Sequence, residues 1–291
     1  MKKINLQNDM KDAERQSWDS VADSWQKWWK TIEIGAQKVS KRLIELAEIK
    51  PGSRVLDIAT GIGEPAITVA NQVGDSGGGG HVLAIDISSR MLSIAKQKAI
   101  SLGLQNVIEF KQGDAETIDL PTSTFDAVLC RWGMTLFLDF DTGLSNIYRS
   151  LVDGGRFAAA VWSSADKVPV LAITVNTVMK ETNSPPPPSP KVPGPFSLSN
   201  ENMLKNSFIK SGFRGVSVER VNVTFEFDSA ETYTSLIQET AASLHALLTN
   251  ETQERRKEIL KAVTEAARKY ADDNTRSLKL TNEAICVVGK K

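Results

Sequence analysis

Short apolar runs alternate with amphipathic stretches through the middle of the chain. Runs typical of strands occupy residues 54–58, 82–86, 107–111, 125–130 and 157–162. Stretches with helical spacing lie between or beside them at 61–73, 88–102 and 141–151. Strands that alternate with helices of this length indicate βαβ units and a parallel sheet buried on both faces. The pattern therefore predicts an α/β fold with a doubly wound, mostly parallel sheet.

A helical pattern without strands precedes this region. Trp18, Trp25 and Trp29 are spaced by seven and four residues, so they share one helix face. A second helix is predicted over 39–49, where a Pro-Gly pair follows as a stop signal. The tryptophan face has two interpretations: it packs on the body, or it forms a lid over a ligand pocket. In the second interpretation Trp28 and Trp29 belong to the substrate pocket.

Two segments interrupt the alternation in the second half of the chain. Prolines are concentrated at 183–195, which predicts a stiff connection rather than a recognition ligand. A polar helical stretch at 229–275 separates a β-rich segment from the last strand. We therefore divide the chain into an N-terminal helical lid (1–50), a ligand-binding core (51–165) and the remainder of the sheet (166–291), which carries both interrupting segments.

Composition excludes several classes of protein. Lys and Arg total 35, and Asp and Glu also total 35, so the formal net charge is zero. That balance argues against a nucleic-acid binder that neutralises phosphates. No signal-peptide pattern and no run of about 18 apolar residues is present, so we expect a cytoplasmic protein without a membrane span. Cys130 and Cys286 lie in apolar runs, and no Cys/His cluster has metal-ligand spacing, so no metal is expected. The oligomeric state is left open.

The strongest chemical signal is the stretch 55–63, where a predicted strand runs into a glycine-rich turn. Ligands of open α/β sheets bind at the carboxyl ends of the strands. The spacing of Gly61 and Gly63 also fits the dinucleotide fingerprint. Asp57 and Glu64 flank the turn, however, and two carboxylates would repel a pyrophosphate and suit a cationic group. S-adenosylmethionine (SAM) fits, because it carries an ammonium and a sulfonium and no phosphate; an NAD(P)-dependent oxidoreductase is the alternative.

Acidic residues also follow the next two strands. Asp86 is placed to accept hydrogen bonds from ribose hydroxyls, which fits SAM and NAD equally well. Asp114 can accept a hydrogen bond from an adenine amino group, while Ile87, Met91 and Ala115 can sandwich the ring. Three acids at the ends of three successive strands predict a single nucleoside site.

Together these motifs resemble the class I SAM-dependent methyltransferases. The resemblance is carried by Val-Leu-Asp-x-x-x-Gly-x-Gly at 55–63, Gly-Asp-Ala-Glu at 113–116, Phe-Asp-Ala-Val at 125–128 and Leu-Val-Asp-Gly-Gly-Arg-Phe at 151–157. It covers about residues 40–165. The stretches 60–66 and 86–92 look most like the small-molecule branch that includes the ubiquinone/menaquinone-biosynthesis methyltransferases. The chain departs from the family pattern at Ala59, where a first glycine is common.

The resemblance implies a Rossmann-like methyltransferase fold with a seven-stranded sheet, and SAM as the cofactor. The expected cofactor-binding residues are Asp57, Ala59, Gly61, Gly63, Asp86, Ile87, Met91, Asp114, Ala115 and Arg131. The expected substrate pocket includes Trp28, Trp29, Trp132 and Met134. The implied reaction is methyl transfer to a small, lipophilic or aromatic acceptor at oxygen, carbon or nitrogen.

In-line displacement at a sulfonium needs chiefly proximity and desolvation, so no catalytic residue is assigned. His245, on a predicted lid helix, is the one candidate for a general base, and His81 is expected to be structural. A SAM-binding module without catalysis is the remaining alternative. The pattern leaves the identity of the acceptor open.

Overall fold

The structure is a computed structural model. It describes residues 2–74, 79–184, 193–242, 244, 248 and 251–291, with side chains from residue 9 onward. His245 and most of the proline-rich connection therefore lie outside the described residues.

In the described part of the chain, seven strands form one sheet in the order β3-β2-β1-β4-β5-β7-β6. They are β1 (Arg54–Ile58), β2 (His81–Asp86), β3 (Ile108–Gln112), β4 (Phe125–Arg131), β5 (Leu151–Trp162), β6 (Arg214–Phe227) and β7 (Leu278–Lys290). Neighbours from β3 to β5 are parallel, and β7 runs antiparallel between β5 and β6. The predicted doubly wound, mostly parallel sheet is confirmed.

Helices cover both faces of this sheet. They are α1 (Lys2–Leu46), α2 (Ala66–Gly74), α3 (Ser89–Ser101), α4 (Phe140–Ser150), α5 (Pro169–Glu181), α6 (Glu201–Lys210), α7 (Ala230–Thr240) and α8 (Gln253–Arg268). Successive strand residues point to opposite faces. Val55 accordingly packs in the core under α1, α2, α5, α7 and α8, while Leu56 packs in the core under α4 and α6.

Helix α1 differs from the prediction of two N-terminal helices, because it is one continuous helix of 45 residues. Gly35 lies inside it, where a Cβ would come within 2.5 Å of the Phe225 ring on β6. The absence of a side chain there allows the helix to cross the sheet closely, and that packing offsets the weak helix propensity of glycine. None of the described helices is both long enough and apolar enough to cross a membrane.

The structure differs from the prediction in two further respects. Strand β5 begins at Leu151 and not at residue 157 as predicted, so Gly154 and Gly155 lie inside the strand. Helices α5 and α6 had no counterpart in the sequence prediction. The predicted polar helical stretch at 229–275 contains α7 and α8, as expected.

Candidate functional site

A pocket opens where the carboxyl ends of β1, β2 and β4 meet the loops that follow them. This is where the strand order reverses between β1 and β4, the usual ligand position in open α/β sheets. The pocket has a cavity volume of about 170 Å³. The turn after β1, the loop after β3 and helix α1 all contribute walls. The lining residues are Lys11, Glu14, Trp18, Trp25, Trp29, Ala59, Thr60, Gly61, Ile62, Glu64, Ile85, Asp86, Ile87, Met91, Gly113, Asp114, Ala115, Arg131, Trp132, Gly133, Leu136 and Phe137.

The turn after β1 has a left-handed backbone at several positions. Gly61 has φ +55°, and a Cβ there would meet nothing within 4 Å, so its backbone borders open space. Ala59 also has φ +55°, a conformation that costs a non-glycine residue about 1–2 kcal/mol. The side chain of Ala59 faces Gly133, where an added Cβ would lie only 2.3 Å from the Ala59 Cβ.

Asp86 ends β2 and fixes the turn from the neighbouring strand. The backbone N–H of Gly61 donates to its Oδ2 at 2.8 Å, and the N–H of Ser88 donates to its Oδ1 at 2.9 Å. Burial raises the pKa of Asp86 to about 6, although these backbone N–H groups lower it. The two backbone hydrogen bonds therefore fix the position of the carboxylate and stabilise its ionised form, while burial disfavours that form.

Asp57 lies one layer deeper, behind the turn. It is fully buried, and the Ala66 N–H at the start of α2 donates to its Oδ2 at 3.0 Å. Burial raises the pKa of Asp57 to about 7, and the positive charge of Arg131 lowers it in part. A cation in the pocket would favour the ionised form of both Asp57 and Asp86.

Arg131, at the end of β4, makes a buried ion pair with helix α1. Its Nη1 and Nη2 donate to the two carboxylate oxygens of Glu33, each at 2.9 Å. Nη1 also donates to the Ser40 hydroxyl at 2.7 Å. Glu64 lies in the same cluster, and burial followed by the charge of Glu33 raises its pKa.

Helix α1 gives the pocket an aromatic wall. Trp18 and Trp25 contact each other edge to face, with ring centroids 6.1 Å apart. The Trp25 indole N–H donates to the carbonyl of Thr240, the last residue of α7, at 3.0 Å. Trp29 completes the wall, so the three tryptophans predicted to share a helix face all line the pocket.

Trp132 forms part of the opposite wall. It has φ +67°, a rare conformation for a bulky residue, and it stacks on Trp162 at a centroid distance of 4.5 Å. Its indole Nε1 is buried and has no hydrogen-bond partner among the described atoms. A strained residue with an unsatisfied donor in a pocket wall is typical of a functional position.

Glu116 joins three segments around the pocket. Its carboxylate accepts from Lys11 Nζ of α1 at 2.6 Å and from the backbone N–H groups of Leu138 and Asp139 at 2.7 and 2.9 Å. Lys11 Nζ also lies 3.6 Å from Asp114. The loop after β3, helix α1 and the segment after β4 therefore meet at one buried carboxylate.

Comparison with known proteins identifies the family of this chain. A model of the ubiE/COQ5 methyltransferase family matches residues 7–180. The chain belongs to the ubiE/COQ5 methyltransferase family.

A curated relative shows how much of this chain is similar in sequence to a known protein. The ubiquinone/menaquinone biosynthesis C-methyltransferase UbiE of Teredinibacter turnerae is 32% identical over 145 residues, which are 50% of this chain and 57% of the relative. The chain thus spans little more than half the length of the curated relatives it matches.

Solved structures share the fold of this ubiE/COQ5 family member. The YcgJ protein of Bacillus subtilis has a TM-score of 0.59 and 21% identity, over 88% of this chain and 98% of that one. Phosphoethanolamine N-methyltransferase 2 of Haemonchus contortus, solved with S-adenosylhomocysteine, has a TM-score of 0.54 and 18% identity over 94% of this chain and 58% of that one. At these identities the likeness establishes the fold alone.

Most residues predicted to bind the cofactor line this pocket. They are Ala59, Gly61, Asp86, Ile87, Met91, Asp114, Ala115 and Arg131. Asp57 and Gly63 do not line the pocket. Asp57 supports the turn from behind. Gly63 has φ +105°, and an added Cβ there would lie 2.9 Å from Ile67 of α2 and 3.3 Å from Ala95 of α3.

The predicted substrate residues divide evenly. Trp29 and Trp132 line the pocket, whereas Trp28 and Met134 do not. The Trp28 indole N–H instead donates to Glu239 on α7 at 2.8 Å, because Trp28 points about 100° away from Trp29 around the helix. Met134 is buried in the core under α4 and α6. The candidate base His245 lies outside the described residues, and His81 begins β2 at the opposite end of that strand from Asp86.

Sequence reasoning assigned no pocket role to Lys11 and Glu14, and it missed the pairing of Glu33 with Arg131. Their only sequence signal was a charged residue on an amphipathic helix, which equally describes a solvated face. Glu64 was recognised as a carboxylate at the turn but not as part of this ion-pair cluster. Among the described residues, no cluster of histidine, cysteine and carboxylate side chains could hold a metal ion.

The residues present fit a nucleoside ligand with a cationic amino-acid end. Gly61 borders open space where a side chain would intrude, and Asp86 and Asp114 lie at adjacent strand ends. The carboxylates near the turn suit positive charge, and the apolar faces of Ile87 and Met91 lie beside Ala115. A pyrophosphate in the same position would face the carboxylates of Asp86 and Glu64.

Proposed function

We propose that this chain transfers a methyl group from SAM to a small, lipophilic aromatic acceptor, with a quinol ring carbon as the acceptor class. The observation that carries the proposal is one pocket that combines strand-end carboxylates with four tryptophans. The relatives' names support the acceptor class, because they are quinone-biosynthesis C-methyltransferases. Family membership supports the reaction type.

When bound, SAM supplies an electrophilic methyl group on a positively charged sulfur. The chain's own residues hold the reaction geometry and exclude water. Trp18, Trp25, Trp29 and Trp132 line the pocket and replace water along its wall with aromatic surface. Aromatic faces also attract a cation by about 0.5–2 kcal/mol. Alignment of nucleophile and methyl at about 3–3.5 Å then accounts for much of the rate.

Purified protein incubated with methyl-labelled SAM and a set of reduced quinols, simple phenols and amines tests the proposal. We expect label on a ring carbon of a quinol and no transfer to a matched quinol whose ring positions are all substituted. The variant Asp86→Ala serves as the negative control. Label found only on amine nitrogen or hydroxyl oxygen would overturn the acceptor class and leave methyl transfer standing.

Two other functions predict different outcomes in the transfer assay and in calorimetry. A SAM-binding module without catalysis would bind S-adenosylhomocysteine and transfer no label to any acceptor. An NAD(P)-dependent oxidoreductase would bind NAD in calorimetry and would not bind S-adenosylhomocysteine. No described observation favours either of them over methyl transfer.

A further inference from the structure

Arg131 comes from the sheet core, yet the described hydrogen bonds of its side chain all go to helix α1. Two go to the Glu33 carboxylate as a parallel fork, and a third goes to Ser40. The Arg131 and Glu33 side chains are only 7% and 13% exposed. Bidentate pairs of this kind are the strong, geometrically specific form of a guanidinium–carboxylate contact.

Arg131 also lines the pocket beside the turn after β1. Among the described residues that line the pocket, the positive charges belong to Arg131 and Lys11. Lys11 is engaged near the loop after β3, where its ammonium pairs with Glu116. A ligand carboxylate near Thr60 and Gly61 therefore has the Arg131 guanidinium as its cationic partner.

We propose that Arg131 binds the carboxylate of the cofactor's amino-acid group, and that Glu33 occupies this position in its absence as a competing carboxylate of the chain itself. The inference rests on the proposed function. A buried guanidinium without a partner is costly, and Glu33 supplies the partner of Arg131. Nη1 and Nη2 both donate to Glu33, so a ligand carboxylate that takes these same two N–H groups displaces Glu33. Helix α1 then exchanges one of its pocket contacts whenever cofactor binds.

Two ligands that differ by one group isolate this contact. S-adenosylhomocysteine carries the amino-acid carboxylate, and its decarboxylated analogue keeps the ammonium and lacks only that carboxylate. Titration calorimetry of both ligands against the wild-type chain and each variant gives an affinity ratio. A variant that folds poorly loses affinity for both ligands. A variant that no longer recognises the carboxylate loses affinity only for S-adenosylhomocysteine, so the ratio of the two affinities changes.

Arg131→Met should weaken S-adenosylhomocysteine at least about tenfold and leave the decarboxylated analogue within about twofold, because charge-assisted hydrogen bonds to the carboxylate are lost. Arg131→Lys keeps the charge without the fork, so its ratio should fall between those of Met and wild type. Thermal melting of each variant shows whether it is folded.

Glu33→Gln removes the competing charge while it keeps the shape of the side chain. It should strengthen S-adenosylhomocysteine by at least about threefold and leave the decarboxylated analogue nearly unchanged, because the binding-competent state no longer has to release Glu33. The matched control is Asp23→Asn, which removes an α1 carboxylate that pairs with exposed Arg90. That control should keep the wild-type ratio.

The outcomes separate cleanly. A ratio that falls in Arg131→Met and rises in Glu33→Gln supports the inference. Equal loss of both ligands in Arg131→Met, or weaker S-adenosylhomocysteine binding in Glu33→Gln, would overturn it and leave the proposed function intact. Failure of the wild-type chain to bind either ligand would overturn the proposed function and this inference together.

Discussion

The two walls of the pocket are built by different means. At the strand ends, Asp86 accepts from the backbone N–H groups of Gly61 and Ser88, so its position follows from the register of β1 against β2. Helix α1 instead reaches the pocket through separate side-chain contacts, such as Lys11 with Glu116 and Glu33 with Arg131. The register of the sheet positions the strand-end wall, whereas several separate side-chain contacts position the α1 wall.

Helix α1 itself contains both kinds of packing. Val39 and Leu43 are fully buried in the core over the sheet. Val21 and Ala22 belong to a smaller cluster with Ile62 near the pocket. The second half of α1 is therefore part of the fold, while the first half contributes chiefly to the pocket.

The largest expected effect separates these halves. Leu43→Ala should lower the free energy of unfolding by about 2–5 kcal/mol, because it leaves a cavity in a closed core. Trp18→Ala should lower it much less and should instead weaken S-adenosylhomocysteine binding. Denaturant unfolding and calorimetry on both variants measure the difference. Equal destabilisation by the two substitutions would show that α1 is one structural unit.

The next effect tests the strand-end wall. Asp86→Ala removes charge-assisted hydrogen bonds of about 1.5–3 kcal/mol, so affinity for SAM should fall at least tenfold. Asp19→Asn is the matched control, because Asp19 lies on α1 and accepts from the Ser88 hydroxyl. It should weaken binding less than Asp86→Ala. Unchanged affinity in Asp86→Ala would remove Asp86 from the cofactor site.

A smaller effect concerns pH. Burial raises the pKa of Asp57 to about 7 and that of Asp86 to about 6. Between the unfolded pKa near 4 and these values the folded state binds more protons, so both groups make the ligand-free protein less stable as pH rises. A cationic ligand favours the ionised carboxylates and releases protons on binding.

Affinity for SAM should therefore rise severalfold from pH 5.5 to 7.5 and level off above that range. Calorimetry in buffers with different ionisation enthalpies measures the proton release directly. A phosphate-bearing ligand such as NAD should show the opposite trend, because its anionic group disfavours ionised carboxylates. Proton uptake with SAM would contradict the assignment of these acids to a cationic ligand.

The smallest expected effect concerns the stability of the turn after β1. Ala59→Gly should change the free energy of unfolding by less than about 1 kcal/mol, because relief of the left-handed backbone is partly offset by the entropy of glycine. Gly133→Ala should destabilise by about 1–3 kcal/mol, since its Cβ would collide with that of Ala59. In the double variant Ala59→Gly/Gly133→Ala most of this loss should be recovered. If the double variant is as unstable as the two single variants combined, the Ala59 Cβ is not the group with which the new side chain in Gly133→Ala collides.

The strand-end wall could be predicted from sequence because its geometry is local. Parallel strands bring their carboxyl ends to the same edge of a sheet, so Asp57, Asp86 and Asp114 had to lie near one another. Sequence could not show that Asp57 supports the turn from behind. That distinction depends on how deeply the start of α2 packs against the end of β1.

The α1 wall could be predicted only in part. Helical spacing correctly placed Trp18, Trp25 and Trp29 on one face. The partners of the charged residues could not follow from spacing, because Glu33 and Arg131 are 98 residues apart and meet only through the docking of α1 on the sheet. A charged helix residue looks the same in sequence whether it faces solvent or a buried guanidinium.

The crowding of tryptophans at the pocket also has an optical consequence. Four of the six tryptophans line it, and a fifth, Trp162, stacks directly on Trp132. The ultraviolet emission of the whole chain therefore originates largely beside the ligand position. An aromatic ligand that enters the pocket would lie beside these rings and should quench their emission, so tryptophan fluorescence should report occupancy without an attached dye.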